Sequence, residues 1–128
     1  MSYTVKNLRK VEDSAVKFGF SETQEARFAR KDLEAERTGL SYHVVKPGKR
    51  QGFGHRHAEA EEIYVVLAGS GRVKLDDEIV DVERYDAIRV APQVGRAFEA
   101  SDEGLEILAL GAHHGDDRGD MLQDFWND

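Results

Sequence analysis

The sequence predicts an all-β protein, and three observations lead to this expectation. Short segments rich in valine, isoleucine, leucine and tyrosine recur along the chain. Glycine, proline or aspartate residues separate these segments at a spacing of roughly ten residues, which is typical of a sandwich, a jelly roll or a barrel. The chain has 128 residues and no internal repeat, so its length suits one domain. We therefore expect a single β-domain that spans residues 1–128.

The N-terminal part of the chain has the weakest pattern. Residues 2–8 alternate weakly between apolar and polar side chains, which indicates an edge strand. Residues 11–25 lack a clear period, and we interpret residues 1–25 as an arm outside the barrel. The segment 26–40 has the alanine, glutamate, arginine and leucine content of a helix. Its apolar residues do not keep a 3.6-residue spacing, however, and the alternation at 26–30 fits a strand, so we favour a strand.

The barrel itself is predicted to span residues 26–110. Alternating or β-branched segments follow one another here, and the predicted strands are 40–45, 63–68, 72–75, 78–82, 87–91 and 105–110. The Gly-Ser-Gly sequence at 69–71 is expected to end the strand before it. The Asp-Asp pair at 76–77 is expected to join its two neighbouring strands as a two-residue hairpin connection.

The tail, residues 111–128, has a different composition. Histidine, glycine and aspartate residues at 113–119 predict a loop. Asp120 is expected to cap a short helical turn, because the apolar residues that follow it share one face at helical spacing. Phe125 and Trp126 are expected either to close one end of the barrel or to contact a second copy of the chain.

Composition excludes several classes of protein. A net charge of −7 argues against non-specific binding of nucleic acid, which requires clustered positive charge. The absence of cysteine excludes disulfides, thiolate metal sites and thiol nucleophiles. The longest apolar run has about six residues, far fewer than the ~20 that span a membrane, and the first residues lack the apolar segment of a secretory signal. We expect a cytoplasmic protein that binds neither nucleic acid nor membranes.

The most informative stretch holds two histidines and two glutamates just before an apolar run. His55 and His57 are separated by one residue, and on an extended backbone such residues point to the same face. Glu62 follows a few residues later and can join them on the same wall; Glu61 is its rival, but the parity of the strand favours Glu62. Two imidazole nitrogens and one carboxylate oxygen are suitable ligands for a borderline divalent metal.

This stretch resembles the first motif of the cupin family. That motif has a glycine, five residues, H-x-H, three or four residues, a glutamate, six residues and a second glycine. His55, His57, Glu62 and Gly69 match the spacing, whereas Gly48 lies one residue too early to be the leading glycine. The resemblance extends over roughly residues 40–110.

The second cupin motif resembles residues 85–96 more loosely. Asp86 and a displaced proline, Pro92, are retained, but the opening glycine is missing. At the end of the motif, where family members have a third metal-binding histidine, this chain has Arg96. The resemblance implies a jelly-roll β-barrel with its site in the interior.

The resemblance also implies a metal centre. His55, His57 and Glu62 are expected to bind a divalent transition metal, and Fe, Mn, Ni, Co and Zn all suit this ligand set. His113 or His114 is expected to replace the missing fourth ligand only if the tail folds back over the site.

Further residues are candidates for contact with a ligand. Arg96, if its guanidinium points inward, either weakens metal binding or holds an anionic ligand that bridges it and the metal. Tyr64 has the same parity as Glu62 and is expected to face the same cavity. Tyr42 is the third candidate, but Tyr42 and His43 have opposite parities, so at most one of them faces inward.

Three functions stay open at this point. The first is a metal-dependent enzyme of small-molecule metabolism, of the dioxygenase or isomerase type, whose catalytic residues are unassigned. The second is a non-catalytic sensor or accessory protein that binds a small anion or sugar without metal. The third is a structural dimer with a vestigial site. A homodimer is expected in each case, because small barrels of this kind commonly bury an outer sheet face and an N-terminal arm against a partner.

Overall fold

The computed structural model describes residues 2–113, 115, 117 and 119–128. Its eight strands are Gln24–Phe28 (β1), Thr38–Val45 (β2), Gly54–Arg56 (β3), Glu62–Leu75 (β4), Glu78–Glu83 (β5), Ala87–Val90 (β6), Arg96–Ala112 (β7) and Asp120–Leu122 (β8). Two short helical elements precede the strands: a 3₁₀-helix at Leu8–Lys10 and an α-helix, α1, at Ser14–Lys17. Within these described ranges, no helix has the length and apolar character that a membrane crossing requires.

The strands belong to one antiparallel sheet in which β7 is the central strand. The C-terminal half of β7 pairs with β2 on one edge and with β4 on the other. Its N-terminal end pairs with β4 and β3, and β4 in turn pairs with β5 and β6. The sheet therefore curls into a barrel, which confirms the prediction of an all-β barrel.

The hydrophobic core consists of inward-facing side chains from β2, β4, β5, β6 and β7. Val66, Phe98 and Ile107 are at most 1% exposed. The rings of Tyr64 and Phe98 meet at a tilted angle with centroids 5.1 Å apart. Full burial of each such side chain stabilises the fold by about 1.5–3 kcal/mol. This packing fixes the inner walls of β4 and β7, on which the candidate site is built.

The Gly-Ser-Gly sequence at 69–71 does not end a strand, contrary to the prediction. β4 continues through it, and its register against β7 shifts between Gly69 and Gly71. A Cβ atom at Gly69 would collide with the carbonyl oxygen of Gly104, and one at Gly71 with that of Glu99. The glycines therefore permit two backbones to approach closely at a β-bulge. The sequence predicted two strands where the structure has one.

The hairpin at 76–77 is confirmed. Asp76 has a φ of 53°, its backbone N–H donates to the carbonyl of Gly95 over 2.8 Å, and its Oδ1 accepts from the Gly95 N–H over 2.8 Å. The strand favoured at the start of 26–40 is confirmed as β1, but it begins at Gln24, within the predicted arm, and turns follow it at 30–34. The strand predicted at 105–110 is the second half of the longer β7.

The N-terminal arm contains helical turns and no strand over residues 2–8. Asn7 caps the 3₁₀-helix, because its Oδ1 accepts from the Arg9 N–H over 2.8 Å. Asp13 caps α1 in the same way through the Ala15 N–H, over 3.0 Å. The predicted edge strand at 2–8 is therefore wrong: these residues pair with no strand of the described sheet, and the chain forms a capped 3₁₀-helix from Leu8 instead.

The C-terminal tail also differs from its prediction. Asp120 begins β8, which pairs with β3 and places Met121 opposite His55, so no helical turn forms there. The free edge of β3 provides backbone partners that the tail satisfies as a strand. The ring of Phe125 packs on Gly54, and the indole N–H of Trp126 donates to the Gln51 carbonyl over 2.7 Å. These aromatic residues therefore pack on β3 and on the loop before it.

Candidate metal centre

The two histidines and one glutamate of the sequence motif meet inside the barrel. His55 lies on β3, His57 follows that strand, and Glu62 is the first residue of β4. The imidazole centroids are 5.2 Å apart. His55 Nε2 lies 3.5 Å and His57 Nε2 3.2 Å from Glu62 Oε1. One ligand atom from each residue falls within 4.8 Å of the other two, which brings the predicted ligands together.

Hydrogen bonds keep Glu62 ionised although it is largely buried. Burial opposes ionisation, but hydrogen bonds from His55, His57 and the Tyr64 hydroxyl together hold the pKa of Glu62 well below its usual range. The Tyr64 hydroxyl donates to Glu62 Oε1 over 2.8 Å, as its strand parity predicted. Burial and the adjacent carboxylate raise the pKa of Tyr64, so this phenol stays protonated and continues to donate.

Asp117 supports the cluster from outside and was missed by sequence reasoning. Its Oδ1 lies 3.1 Å from His57 Nδ1, and its side chain is 3% exposed. Its carboxylate also accepts from the backbone N–H groups of three consecutive residues: Ala58 over 3.2 Å, Glu59 over 2.9 Å and Ala60 over 2.7 Å. Although burial opposes ionisation, these bonds hold the pKa of Asp117 well below normal. An ionised Asp117 accepts a hydrogen bond from the Nδ1–H group of His57, which leaves Nε2 to face Glu62.

Arg96 points inward. It is 1% exposed, its Nη2 donates to the Ala91 carbonyl over 3.0 Å, and its Nη1 lies 3.8 Å from Glu62 Oε1. Its Nε and Nη1 are buried, and they have no hydrogen-bond partner among the described residues. The guanidinium therefore places a positive charge and two donors without a hydrogen-bond partner beside the cluster.

Tyr42 lies on the opposite face of the sheet from the site, contrary to its selection as a ligand contact. Its hydroxyl donates to Glu106, and the guanidinium of Arg9 lies 5.8 Å from its ring centroid under the N-terminal arm. His43 faces the cavity instead, which agrees with the expectation that at most one of the two points inward. Burial lowers the pKa of His43 to about 4, so its imidazole is neutral at neutral pH.

The remaining candidates lie outside the cluster. Glu61 is exposed and pairs with Arg89 over 3.1 Å on the outer surface, so Glu62 is the carboxylate that faces inward. His113 lies at the wall of the cavity but does not belong to the group of three. His114 lies outside the described residues.

The cluster opens into a cavity of about 730 Å³. Its walls come from α1, β1, β2, β3, β4, β7 and the tail. Aromatic and aliphatic side chains predominate, among them Phe20, Phe28, Phe53, Phe98 and Met121. A concave, mostly apolar space with a few convergent polar groups is typical of a small-molecule site.

The side chains present fit a bound divalent transition metal. Two imidazoles and one carboxylate are the donor set that nitrogen- and oxygen-seeking metals of this kind prefer. Asp117 gives one of the histidines the carboxylate partner that metal-binding imidazoles usually have. His55, His57 and Glu62 would hold the metal. Arg96 stands at the sequence position of the fourth protein ligand and is not itself a ligand.

Comparison with known proteins places the fold. An uncharacterized protein of Methanocaldococcus jannaschii, MJ1618, is 38% identical over 45 residues, which span 35% of this chain and 36% of that protein. The match therefore spans about a third of that relative. The polyketide cyclase RemF from Streptomyces resistomycificus has a TM-score of 0.74 at 18% identity, over 98% of this chain and 87% of that one. A sugar phosphate isomerase from Silicibacter pomeroyi, described as belonging to a cupin superfamily, has a TM-score of 0.74 at 15% identity, over 94% and 82%.

At these identities the likeness to the solved structures shows a common fold and says nothing about the reaction. They confirm the predicted jelly-roll barrel. The model of the cupin domain (Cupin_2) matches residues 41–111, which include both motifs, the three clustered ligands and Arg96. More than half of the chain matches this model, and the chain belongs to the cupin family.

Proposed function

We propose that the protein is a cupin of small-molecule metabolism that binds one divalent transition metal through His55, His57 and Glu62. The observation that carries this proposal is the meeting of their ligand atoms within 4.8 Å inside the cavity. When bound, the metal would supply a Lewis acid or an oxygen-activating centre. The dioxygenase and isomerase types of reaction both fit such a centre.

In this proposal the residues around the cluster act on the ligand and on the histidines. Arg96 binds and orients an anionic group through its unused Nε and Nη1 donors. Tyr64 keeps Glu62 in place through its hydroxyl, and Asp117 holds the ring of His57. The apolar walls contact the rest of the ligand. The two solved relatives named above are a cyclase and an isomerase of small molecules, which supports an enzymatic role.

A second function is favoured by one observation. Arg96 is buried, its Nε and Nη1 have no hydrogen-bond partner among the described residues, and Nη1 lies 3.8 Å from Glu62 Oε1. A bound anion without metal would supply the missing hydrogen-bond acceptors. The protein would then be a sensor or accessory protein that binds a small anion or sugar without metal. Anion binding that survives complete removal of metal, in a protein that never retains metal, would favour this alternative.

We further propose that the protein is a homodimer. Ile63 and Leu67 on the outer face of β4 are 42% and 37% exposed, which supports burial of this face against a second copy.

The test of the metal proposal is elemental analysis of protein purified without a histidine tag. We expect about one equivalent of transition metal per chain, and none in a His55→Ala/His57→Ala double variant. His113→Ala is the matched control, because His113 is an exposed histidine outside the cluster, and it should retain the metal. Wild-type protein without metal, even after anaerobic loading with Fe(II), Mn(II), Ni(II) and Zn(II), would overturn the proposal.

A further inference from the structure

The wall of the cavity contains buried polar atoms that make no hydrogen bond within the part of the chain that the structure describes. Among the described residues, the buried side-chain nitrogen and oxygen atoms without a hydrogen-bond partner are Gln24 Oε1, His43 Nδ1, and Nε and Nη1 of Arg96. All three residues line the same cavity. A buried polar group without a partner costs about 1–3 kcal/mol. Their concentration in one cavity points to a ligand that supplies the missing partners.

These groups differ in what they require. Arg96 offers two donors and a permanent charge, so its partner is an anionic oxygen. His43 is held by a hydrogen bond of 2.8 Å between its Nε2 and the Ser41 hydroxyl, which leaves Nδ1 for a ligand hydroxyl or carbonyl. The ligand therefore carries an anion and at least one further polar group on a different wall.

The space between these polar groups is apolar and largely aromatic. The rings of Phe20 and Phe53 lie 5.1 Å apart, and the ring of Phe28 meets His43 edge-on at 5.7 Å. Phe28 and Met121 also line the cavity, and they are 57% and 55% exposed. Large apolar side chains left exposed at a cavity are favourable sites for an apolar ligand body.

A sugar phosphate fits these walls poorly. Several of its hydroxyl groups would lose water against apolar carbon, since aromatic and aliphatic side chains make up most of the lining surface. A flat ring system loses little on leaving water and packs edge-on or face-on against aromatic walls. The volume of about 730 Å³ also lies within the usual range for sites that hold ligands of several rings.

We propose that the cavity binds an aromatic organic acid, whose anionic oxygen accepts hydrogen bonds from Arg96 and whose second polar group bonds to Nδ1 of His43. This inference rests on the proposed function for the location of the site, and it names the substrate class of that site. The ring system lies against the phenylalanines of the cavity, and the anion lies next to the metal ligands.

The test uses a matched pair of probes, 6-hydroxy-2-naphthoate and 2-naphthoate, with glucose 6-phosphate as the comparison. Isothermal titration calorimetry is done on the full chain, once loaded with Zn(II) and once after removal of metal with a chelator. We expect the hydroxynaphthoate to bind at least about tenfold more tightly than glucose 6-phosphate. Equal or tighter binding of glucose 6-phosphate, or no binding of either naphthoate, would overturn the inference.

Two variants assign the contacts. Arg96→Met should weaken both naphthoates at least about tenfold, whereas Arg89→Met, which removes an exposed arginine of the outer surface, should not. His43→Phe keeps a ring but removes the polar atoms, so it should weaken 6-hydroxy-2-naphthoate about tenfold and leave 2-naphthoate unchanged. This second variant decides the question if Arg96→Met fails to fold. Equal effects of His43→Phe on the two probes, or none, would refute the contact with His43.

The outcomes separate this inference from the metal proposal. Naphthoate binding that needs Arg96, in a protein that retains no metal even after anaerobic loading, supports the aromatic acid and contradicts the metal centre. One equivalent of metal with no naphthoate binding supports the metal centre and contradicts the aromatic acid.

Discussion

Replacement of Asp117 by asparagine tests whether a residue outside the metal ligands controls metal affinity. In the wild type, one carboxylate accepts from the N–H groups of Ala58, Glu59 and Ala60 and from Nδ1 of His57, over 2.7–3.2 Å. An amide has only one oxygen, so its NH₂ group must face at least one of these donors. The variant therefore weakens the bonds that fix both the chain after β3 and the ring of His57.

The expected magnitude follows from these contacts. Loss of the carboxylate partner of a metal-binding histidine typically lowers metal affinity 10- to 100-fold, or about 1.4–2.7 kcal/mol. Loss of charge-assisted bonds to the backbone should lower the free energy of unfolding of the metal-free protein by about 2 kcal/mol. Competition with a chromophoric chelator measures the affinity, and urea denaturation measures the stability.

The control is Asp86→Asn, which changes a carboxylate that accepts from the Glu83 N–H over 2.8 Å outside the cavity. It should leave metal affinity unchanged. If Asp117→Asn binds metal within about twofold of the wild type while folded, the assignment of Asp117 as a positioning residue is refuted.

Three further predictions concern other parts of the molecule. Burial lowers the pKa of His43 from 6.5 to about 4 on folding. Its contribution of about 3 kcal/mol to the free energy of unfolding is therefore complete above pH 6.5 and is lost as the pH falls towards 4. An NMR titration of metal-free protein that places this pKa above 6 would contradict it. Lys74→Met removes hydrogen bonds to the Phe125 carbonyl and Asn127, so tail residues 119–128 should be cleaved faster by protease; unchanged cleavage would show that Lys74 does not hold the tail. Leu67→Asp should shift the proposed dimer to monomer in light scattering, whereas Ile79→Asp on β5 should not, and a dimer unaffected by Leu67→Asp would exclude this face.

The residues that sequence reasoning located correctly are linked by short separations along the chain. His55, His57 and Glu62 lie within eight positions, and strand periodicity alone puts the two imidazoles on one face. The same periodicity related Tyr64 to Glu62. Local rules sufficed here because only a short loop separates β3, which carries His55, from Glu62 at the start of β4.

Contacts between distant segments were beyond the same reasoning. Asp117 is 60 positions from His57, and nothing local in the tail marks it as a partner. Strand parity predicted that Tyr42 and His43 face opposite ways, but only the packing of the arm over β2 decides which one faces the cavity. Glycines at 69–71 signal equally a strand end and a bulge, and the choice depends on the approach of β7.

The pairing of β8 with β3 has a thermodynamic consequence. His55 has one partner on β7, Arg96, and one on β8, Met121, so β3 is held from both sides by few pairs. If the ordered tail raises metal affinity, bound metal must stabilise the ordered tail by the same free energy, since such coupling is reciprocal. Hydrogen exchange at the amides of residues 120–122 would then report metal occupancy from a strand that carries none of the proposed ligands.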